Sequence, residues 1–187
     1  VTIRRTKATL GGFAKAARFL EGKAMSDWET CYNFMIDNED SSREYKTVPD
    51  AGGMAISGIN SNSFPLQFAK INELPQDQRG VEVENFYHAV FWNKWFDQIS
   101  SDEVAKRVFD ASVNMGYGTA VKILQGVLGC QVDGRLGPNT VSFTNASPSQ
   151  ALVANFILAR CQHYKDIVAK NPDDEKYLAV WLVRASR

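Results

Sequence analysis

Ser26-Asp27-Trp28-Glu29-Thr30-Cys31-Tyr32-Asn33-Phe34-Met35-Ile36-Asp37-Asn38-Glu39 reads as one amphipathic helix with a marked start. Ser26 followed three residues on by Glu29 is a capping box, in which each side chain satisfies a free amide of the first turn. Trp28, Cys31, Tyr32 and Met35 then recur at the i, i+3, i+4, i+7 spacing of a single buried stripe. Eleven positions separate Trp28 from Glu39. A turn of about 100° per residue brings the acid back to the azimuth of that stripe. An acid in line with the apolar face, at the last turn of its helix, is not a solvated surface charge.

The chain changes character after Glu39. Residues 40–65 have little apolar periodicity and many turn formers: Ser41, Ser42, Pro49, Asp50, Gly52, Gly53, Gly58, Asn60, Asn62 and Pro65. A stretch this long is characteristic of a functional loop, with room for a short β-hairpin. Helical periodicity resumes beyond it. The spacing predicts an aromatic helix over 82–98, with Val83, Phe86, Tyr87, Val90, Phe91 and Trp95 on one face. A second helix opens at Ser100 with Glu103 in another capping box, carries Val104, Val108, Ala111 and Met115, and ends at Gly116. Thr119 to Leu128 is a third, stopped by Gly129.

Gly137-Pro138 starts a short helix with Pro138 in the first turn, and Ser147-Pro148 opens a long one to about Lys170. The segment with Tyr177, Leu178, Trp181 and Leu182 closes the pattern, and a short amphipathic helix is expected upstream over 12–22. No alternating strand of any length stands out. The expected fold class is all-α, about seven helices around one irregular lobe.

Composition narrows the function. Lys+Arg and Asp+Glu both number 21, so the chain lacks the basic surplus of a nucleic-acid binder, despite Arg4, Arg5, Lys7, Lys15, Arg18 and Lys23 near its start. No run of apolar residues is long enough for a membrane span. Cys31, Cys130 and Cys161 form no C-x-x-C pair, and His88 and His163 have no ligand at metal spacing, so neither a disulfide framework nor a zinc cage is expected.

Glycoside hydrolysis needs a carboxylic acid kept protonated near neutral pH, usually by apolar surroundings. Glu39 fits that need by its register with Trp28 and Met35, and Asp50, across a foldable loop, is the candidate second acid. Gly52, Gly53 and Gly58 permit turns that bring backbone close to a bulky polymer. The plainer alternative is that Glu39 ion-pairs at a helix end and Asp50-Ala51-Gly52-Gly53 is only a turn. A glutamate open to bulk solvent, or one plugged by a permanent arginine, would not serve as the acid. Trp92 lies off the apolar stripe and is the candidate to stack on a sugar face. Asn114 either hydrogen-bonds an acetamido group or caps its helix.

Glu39, then Asp50-Ala51-Gly52-Gly53 and Gly58-Ile59, resembles the E-G-G-[YF]…D-x-G-G-x-T-x-x-G-[IV] signature of glycoside hydrolase family 108. The resemblance continues in Phe91-Trp92, in Val108 to Gly116, and in Leu124-Gln125 with Leu128-Gly129. Asp133 to Thr140 resembles the D-G-x-x-G-P-x-T element of the peptidoglycan-binding segment, and Trp181 to Arg184 the closing G-W-x-x-R, so the likeness covers roughly residues 29–187. This chain departs from the pattern at Asp40-Ser41, which replace a glycine pair, in two extra residues before Asp50, and at Ala55, which stands for a threonine.

The resemblance implies a lysozyme-like helical fold with a small loop or hairpin active-site lobe and a helical C-terminal lobe. It implies three parts: a basic extension over 1–27, a catalytic lobe over 28–116 and a peptidoglycan-binding-like lobe over 117–187. The implied activity is an N-acetylmuramidase cleaving β-1,4 bonds of peptidoglycan glycan strands, with Glu39 as general acid and Asp50 assisting. No metal or cofactor is expected, nor a nucleic-acid partner, and the protein is expected to be a monomer. The expected place of action is the periplasm or cell wall, reached by export, secretion or phage delivery, with no signal peptide visible in the chain. A lytic transglycosylase and a non-catalytic wall-binding module are the alternatives. With Asp40 next to Glu39, like-charge repulsion is expected to raise the acid's pKa.

Overall fold

The computed structural model describes residues 25–50 and 53–187; the helix expected over 12–22 and the turn residue Gly52 lie outside them. The described chain runs α1 (Trp28–Glu39), β1 (Thr47–Asp50), β2 (Gly53–Ile56), β3 (Ile59–Asn60), α2 (Pro65–Asn72), a 3-10 turn (Gln76–Gln78), α3 (Arg79–Phe91), α4 (Asp102–Met115), α5 (Tyr117–Leu128), α6 (Pro138–Ala146), α7 (Ser149–Lys170), a second 3-10 turn (Pro172–Asp174) and α8 (Glu175–Ser186). The fold is mostly helical and lysozyme-like, as expected, with one small sheet.

Helix α1 buries Cys31, Tyr32, Met35 and Ile36 and ends at Glu39. Its cap is Asp27, not Ser26: the Thr30 amide donates to Asp27 Oδ2 at 3.0 Å. Ser26 instead turns inward and donates to the Phe96 carbonyl. Helix α4 is the central element, packed against α1, α5 and α7. Its Val104, Val108, Phe109 and Ala111 lie within one continuous core with Met35, Leu124 and Phe156. Each large side chain so buried contributes about 1.5–3 kcal/mol.

The aromatic helix stops earlier than its pattern suggests. Trp92 is already extended, with ψ 137, and the Asn93 side chain accepts the Trp95 amide at 2.9 Å. An asparagine that hydrogen-bonds nearby backbone competes with the helix ladder. By contrast Gly129, at φ 66, ends α5, and Pro138 begins α6.

The loop region folds as an antiparallel sheet of order β1-β2-β3, pairing Thr47 with Ile56, Val48 with Ala55 and Ile56 with Ile59. Ser57 and Gly58, at φ 47 and 82, link β2 to β3. Positive φ at both central residues is the turn whose twist suits a two-residue hairpin. Arg79 anchors the sheet to the helices. Its guanidinium donates to the carbonyls of Leu74, Asn72 and Tyr45 at 3.0–3.1 Å and to Thr47 Oγ1 at 3.0 Å.

Candidate active site

Glu39, Gly58, Tyr87, Asn114 and Arg184 line a pocket of about 210 Å³ whose apolar wall is Phe64, Phe86, Phe91 and Val113. Separate parts of the chain meet there: the end of α1, the tight turn between β2 and β3, the later turns of α3, and the last turns of α4 and α8. The turn sits directly against the acid. A Cβ built on Gly58 would lie 2.5 Å from Glu39 Oε2 and 2.7 Å from the Tyr87 hydroxyl. Tyr87, buried, donates to the Ser57 carbonyl at 2.6 Å and so pins that turn. Burial, reinforced by the Glu39 charge, raises the Tyr87 pKa and keeps it a donor.

Gly58 is therefore required twice, for its φ and for the space it leaves. Gly58→Ala is expected to cost about 1–3 kcal/mol of stability from strain. It is also expected to lower turnover by about 10²-fold through displacement of the carboxyl. Thermal melts and a turbidity assay on the variant check both effects.

The second Glu39 oxygen is already engaged. Arg184 Nη2 donates to Oε1 at 2.6 Å, which is the arginine contact set above against an acid role. The geometry stops short of a plug. Arg184 touches one oxygen, Oε2 faces Gly58 and the pocket, and the guanidinium is shared with Asp110 at 2.7 Å. Asp110, 0% exposed, also receives Arg160 Nη1 at 2.7 Å. The Asn38 amide donates to it at 3.2 Å.

Burial is the largest influence on Glu39 and raises its pKa; Arg184 pulls the other way, and the Asp110 and Asp50 charges push it up. The side chain is only 16% exposed, and that burial disfavours its charged form. For Arg184, burial disfavours the cation, but Asp110 and Glu39 outweigh it and raise its pKa.

The other sequence candidates divide. Asn114 lines the pocket, and its Oδ1 accepts from Tyr164 and from Arg160 Nη2 at 3.4 Å. Arginine can only donate, so this arrangement fixes the amide with Nδ2 free to donate elsewhere. Asp50, at the end of β1, is not part of the pocket lining; Asn60 Nδ2 donates to it at 2.9 Å, and its charge reaches Glu39. Gly53, at φ 122, is a hairpin residue whose added Cβ would strike Ser61 Oγ at 2.6 Å.

Trp92 is a correction. It is 9% exposed, stacks on Phe96 at 5.0 Å and packs edge-on against Trp28 and Phe109, so no ring face is open to a sugar. The pocket's phenylalanines, Phe64, Phe86 and Phe91, are edge-to-face with each other at 4.9–6.3 Å.

The carboxylates that press on Glu39 are Asp110 and Asp50, while neighbouring Asp40 is engaged by the loop. Burial works against the Asp40 charge, but hydrogen bonds from Ser57, Ser42 and two loop amides outweigh that and lower its pKa. It is a clamp for the loop, accepting from Ser57 Oγ at 2.7 Å and the Tyr45 amide at 3.0 Å. In the Asp133 element, Gln125 donates to Asp133 Oδ1 at 2.7 Å and accepts the Gly134 amide at 2.8 Å, so that turn is tied into the fold.

Arg184 and Asp110 fall within stretches of the family resemblance but carry no role in the sequence reading, and Arg160 is absent from it. The available signal was a charge inside an apolar stripe. Asp110 falls between Phe109 and Ala111, and Arg160 follows Leu152 and Phe156 at four-residue steps. A charge in such a position has to be paired.

Among curated proteins nothing matches the chain. Among solved structures, one titled "Structure of Brucella abortus SagA" is similar at a TM-score of 0.56, with 21% identity and 95% of each chain covered, which supports the fold. Residues 43–116 match the model of glycosyl hydrolase 108, and residues 119–186 match that of a predicted peptidoglycan domain. Glu39 lies just ahead of the first matched segment, while Asp110 falls within it and Arg160 and Arg184 within the second. With a glycosyl hydrolase 108 segment followed by a predicted peptidoglycan segment over a lysozyme-like fold, the chain is a peptidoglycan hydrolase of the lysozyme type.

Proposed function

We propose that the enzyme cleaves the β-1,4 bond between N-acetylmuramic acid and N-acetylglucosamine, with Glu39 as general acid. The observation that carries this reading is the largely buried Glu39 carboxyl beside an open pocket, its pKa raised by burial. Glu39 Oε2 delivers the proton to the leaving glycosidic oxygen. The carboxylate left behind is then paired by Arg184, which lowers the cost of a buried charge. Before transfer, Asp110 supplies the counter-charge that Arg184 needs. Asp50, held by Asn60, assists water or the developing positive charge from the sheet side. Asn114 Nδ2 donates to an acetamido carbonyl, and Gly58 lets the glycan approach the backbone.

The exposed position of Asp50, outside the pocket lining, also suits one-acid chemistry of the lytic transglycosylase kind. Mass spectrometry of muropeptides decides between the two. Hydrolysis gives reducing ends, and transglycosylation gives an anhydro-muramyl end one water lighter. Sacculi left uncut would overturn both. The substrate places the site of action outside the cytoplasm, at the cell wall.

The pH profile carries a sign. A general acid works while protonated, and the folded Glu39 keeps its proton above the usual glutamate range. Activity should therefore persist above that range and fall as pH rises through the raised pKa. The stability contribution has the same sense: it is present at low pH and lost through that folded pKa. A kcat/KM profile with its alkaline limb at the ordinary glutamate value would count against the assignment.

A further inference from the structure

The Asn114 side chain bonds across to α7 and not to its own helix. The Tyr164 hydroxyl and Arg160 Nη2, the latter at 3.4 Å, both donate to its Oδ1. Its Nδ2 makes no hydrogen bond among the described residues. A side-chain amide can present either end to a neighbour, and its partners decide which. Here the partners leave no choice.

Arg160 can only donate, is 1% exposed, and is held by Asp110 Oδ2 at 2.7 Å. Its Nε donates to the Tyr164 hydroxyl at 3.2 Å, which leaves the single hydrogen of that hydroxyl for Asn114 Oδ1. Burial raises the Tyr164 pKa more than Arg160 lowers it, so the hydrogen stays on. The ring is fixed too. It is 2% exposed, stacks on Trp181 with centroids 5.2 Å apart, and has the Arg160 guanidinium 5.8 Å from its centre. Each group from Asp110 to Asn114 therefore has one role as donor or acceptor.

Asn114 and Val113 line the active-site pocket together, facing an apolar wall of Phe64, Phe86 and Phe91. With Oδ1 tied back to α7, Nδ2 is the polar group that Asn114 has to offer there. One N–H donor beside an apolar wall matches an acetamido group, whose carbonyl accepts and whose methyl gains from leaving water. A free amino group on the same sugar fits neither. As an ammonium it brings only donors, and the Arg184 cation on the same pocket repels it.

We propose that Tyr164, backed by Arg160, is a positioning residue that sets the polarity of Asn114 and so makes the enzyme selective for N-acetylated over de-N-acetylated glycan. The proposal rests on this pocket holding a sugar at the cut bond, and it assigns the selectivity to α7. Asn114 lies in the hydrolase-matched stretch and Tyr164 in the peptidoglycan-matched one, so the second stretch sets what the first accepts.

Reducing-end release from sacculi, and from the same sacculi after treatment with a deacetylase, provides the test. Wild type should favour the acetylated form by about tenfold or more, the worth of one well-placed hydrogen bond. Tyr164→Phe keeps the ring and its stack and removes the hydroxyl alone. Its KM for acetylated sacculi should rise about tenfold with kcat little changed, as for an interaction made equally in ground and transition states. Its KM for the de-N-acetylated form should stay as in wild type, so the selectivity collapses. A merely structural tyrosine would instead lower kcat on both forms alike. Asn114→Asp, which puts an acceptor where Nδ2 was, keeps the test open if Tyr164→Phe fails to fold, and should turn the preference toward de-N-acetylated sacculi. Equal wild-type rates on the two forms, wild-type selectivity in Tyr164→Phe, or an Asn114→Asp variant that still prefers the acetylated form would overturn the proposal and leave the hydrolase reading standing. Sacculi uncut in either form would overturn both.

Discussion

Glu39→Gln is expected to lower lysis of cell-wall sacculi by about 10²–10⁴-fold, the contribution of a positioned general acid. The variant should remain folded. Glutamine keeps the shape of the side chain, and its amide oxygen still accepts from Arg184. It carries no titratable proton, so the residual rate should also lose the pH dependence attributed to Glu39. Reducing-end release and circular dichroism on the same preparation separate lost chemistry from lost structure. A folded variant that clears sacculi at the wild-type rate would remove Glu39 from the mechanism and move attention to Asp50.

Asp110→Ala should have the largest effect on stability. Asp110 is fully enclosed, and it faces Arg160, 2% exposed, and Arg184, 12% exposed. Removing it leaves two mostly buried guanidinium groups with Glu39 as the counter-charge. Breaking a buried pair in this way costs about 3–5 kcal/mol, and for a chain of this size that lowers the melting temperature by on the order of 10 °C. Hydrolysis should fall as well, because Arg184 then bears more strongly on Glu39 and draws it toward the ionised form. Asp110→Ala combined with Arg160→Met should recover part of the lost stability, since the second change removes one orphaned cation. A single-variant loss below about 1 kcal/mol would mean that the network is solvated and does not shape the site.

The legible part of this molecule is local. The stripe of Trp28, Cys31, Tyr32 and Met35 placed Glu39 on the inner face of its helix, because helical periodicity is written in consecutive residues. Gly129 and Pro138 marked helix limits for the same reason. The sheet was harder to read. Its strands span four, four and two residues, too short for alternation to register, and Pro49 and Gly53 interrupt it.

What stayed hidden depends on distant partners. Trp92 lies off the apolar stripe of the sequence pattern, yet Trp28 and Phe109 close over it from other elements. Ser26 was expected as a cap and is drawn instead to Phe96, seventy positions away. Arg184 meets Glu39 across 145 positions, a pairing that spacing along the chain does not encode.

That last contact has a consequence for modularity. The acid precedes the hydrolase-matched stretch, its counter-ion lies in the following stretch, and Asp110 joins the two. The two halves are therefore not interchangeable cassettes. Grafting a foreign wall-binding unit after Gly116 would yield a chimaera in which Glu39 had lost its Arg184 partner. A working chimaera has to carry both halves together.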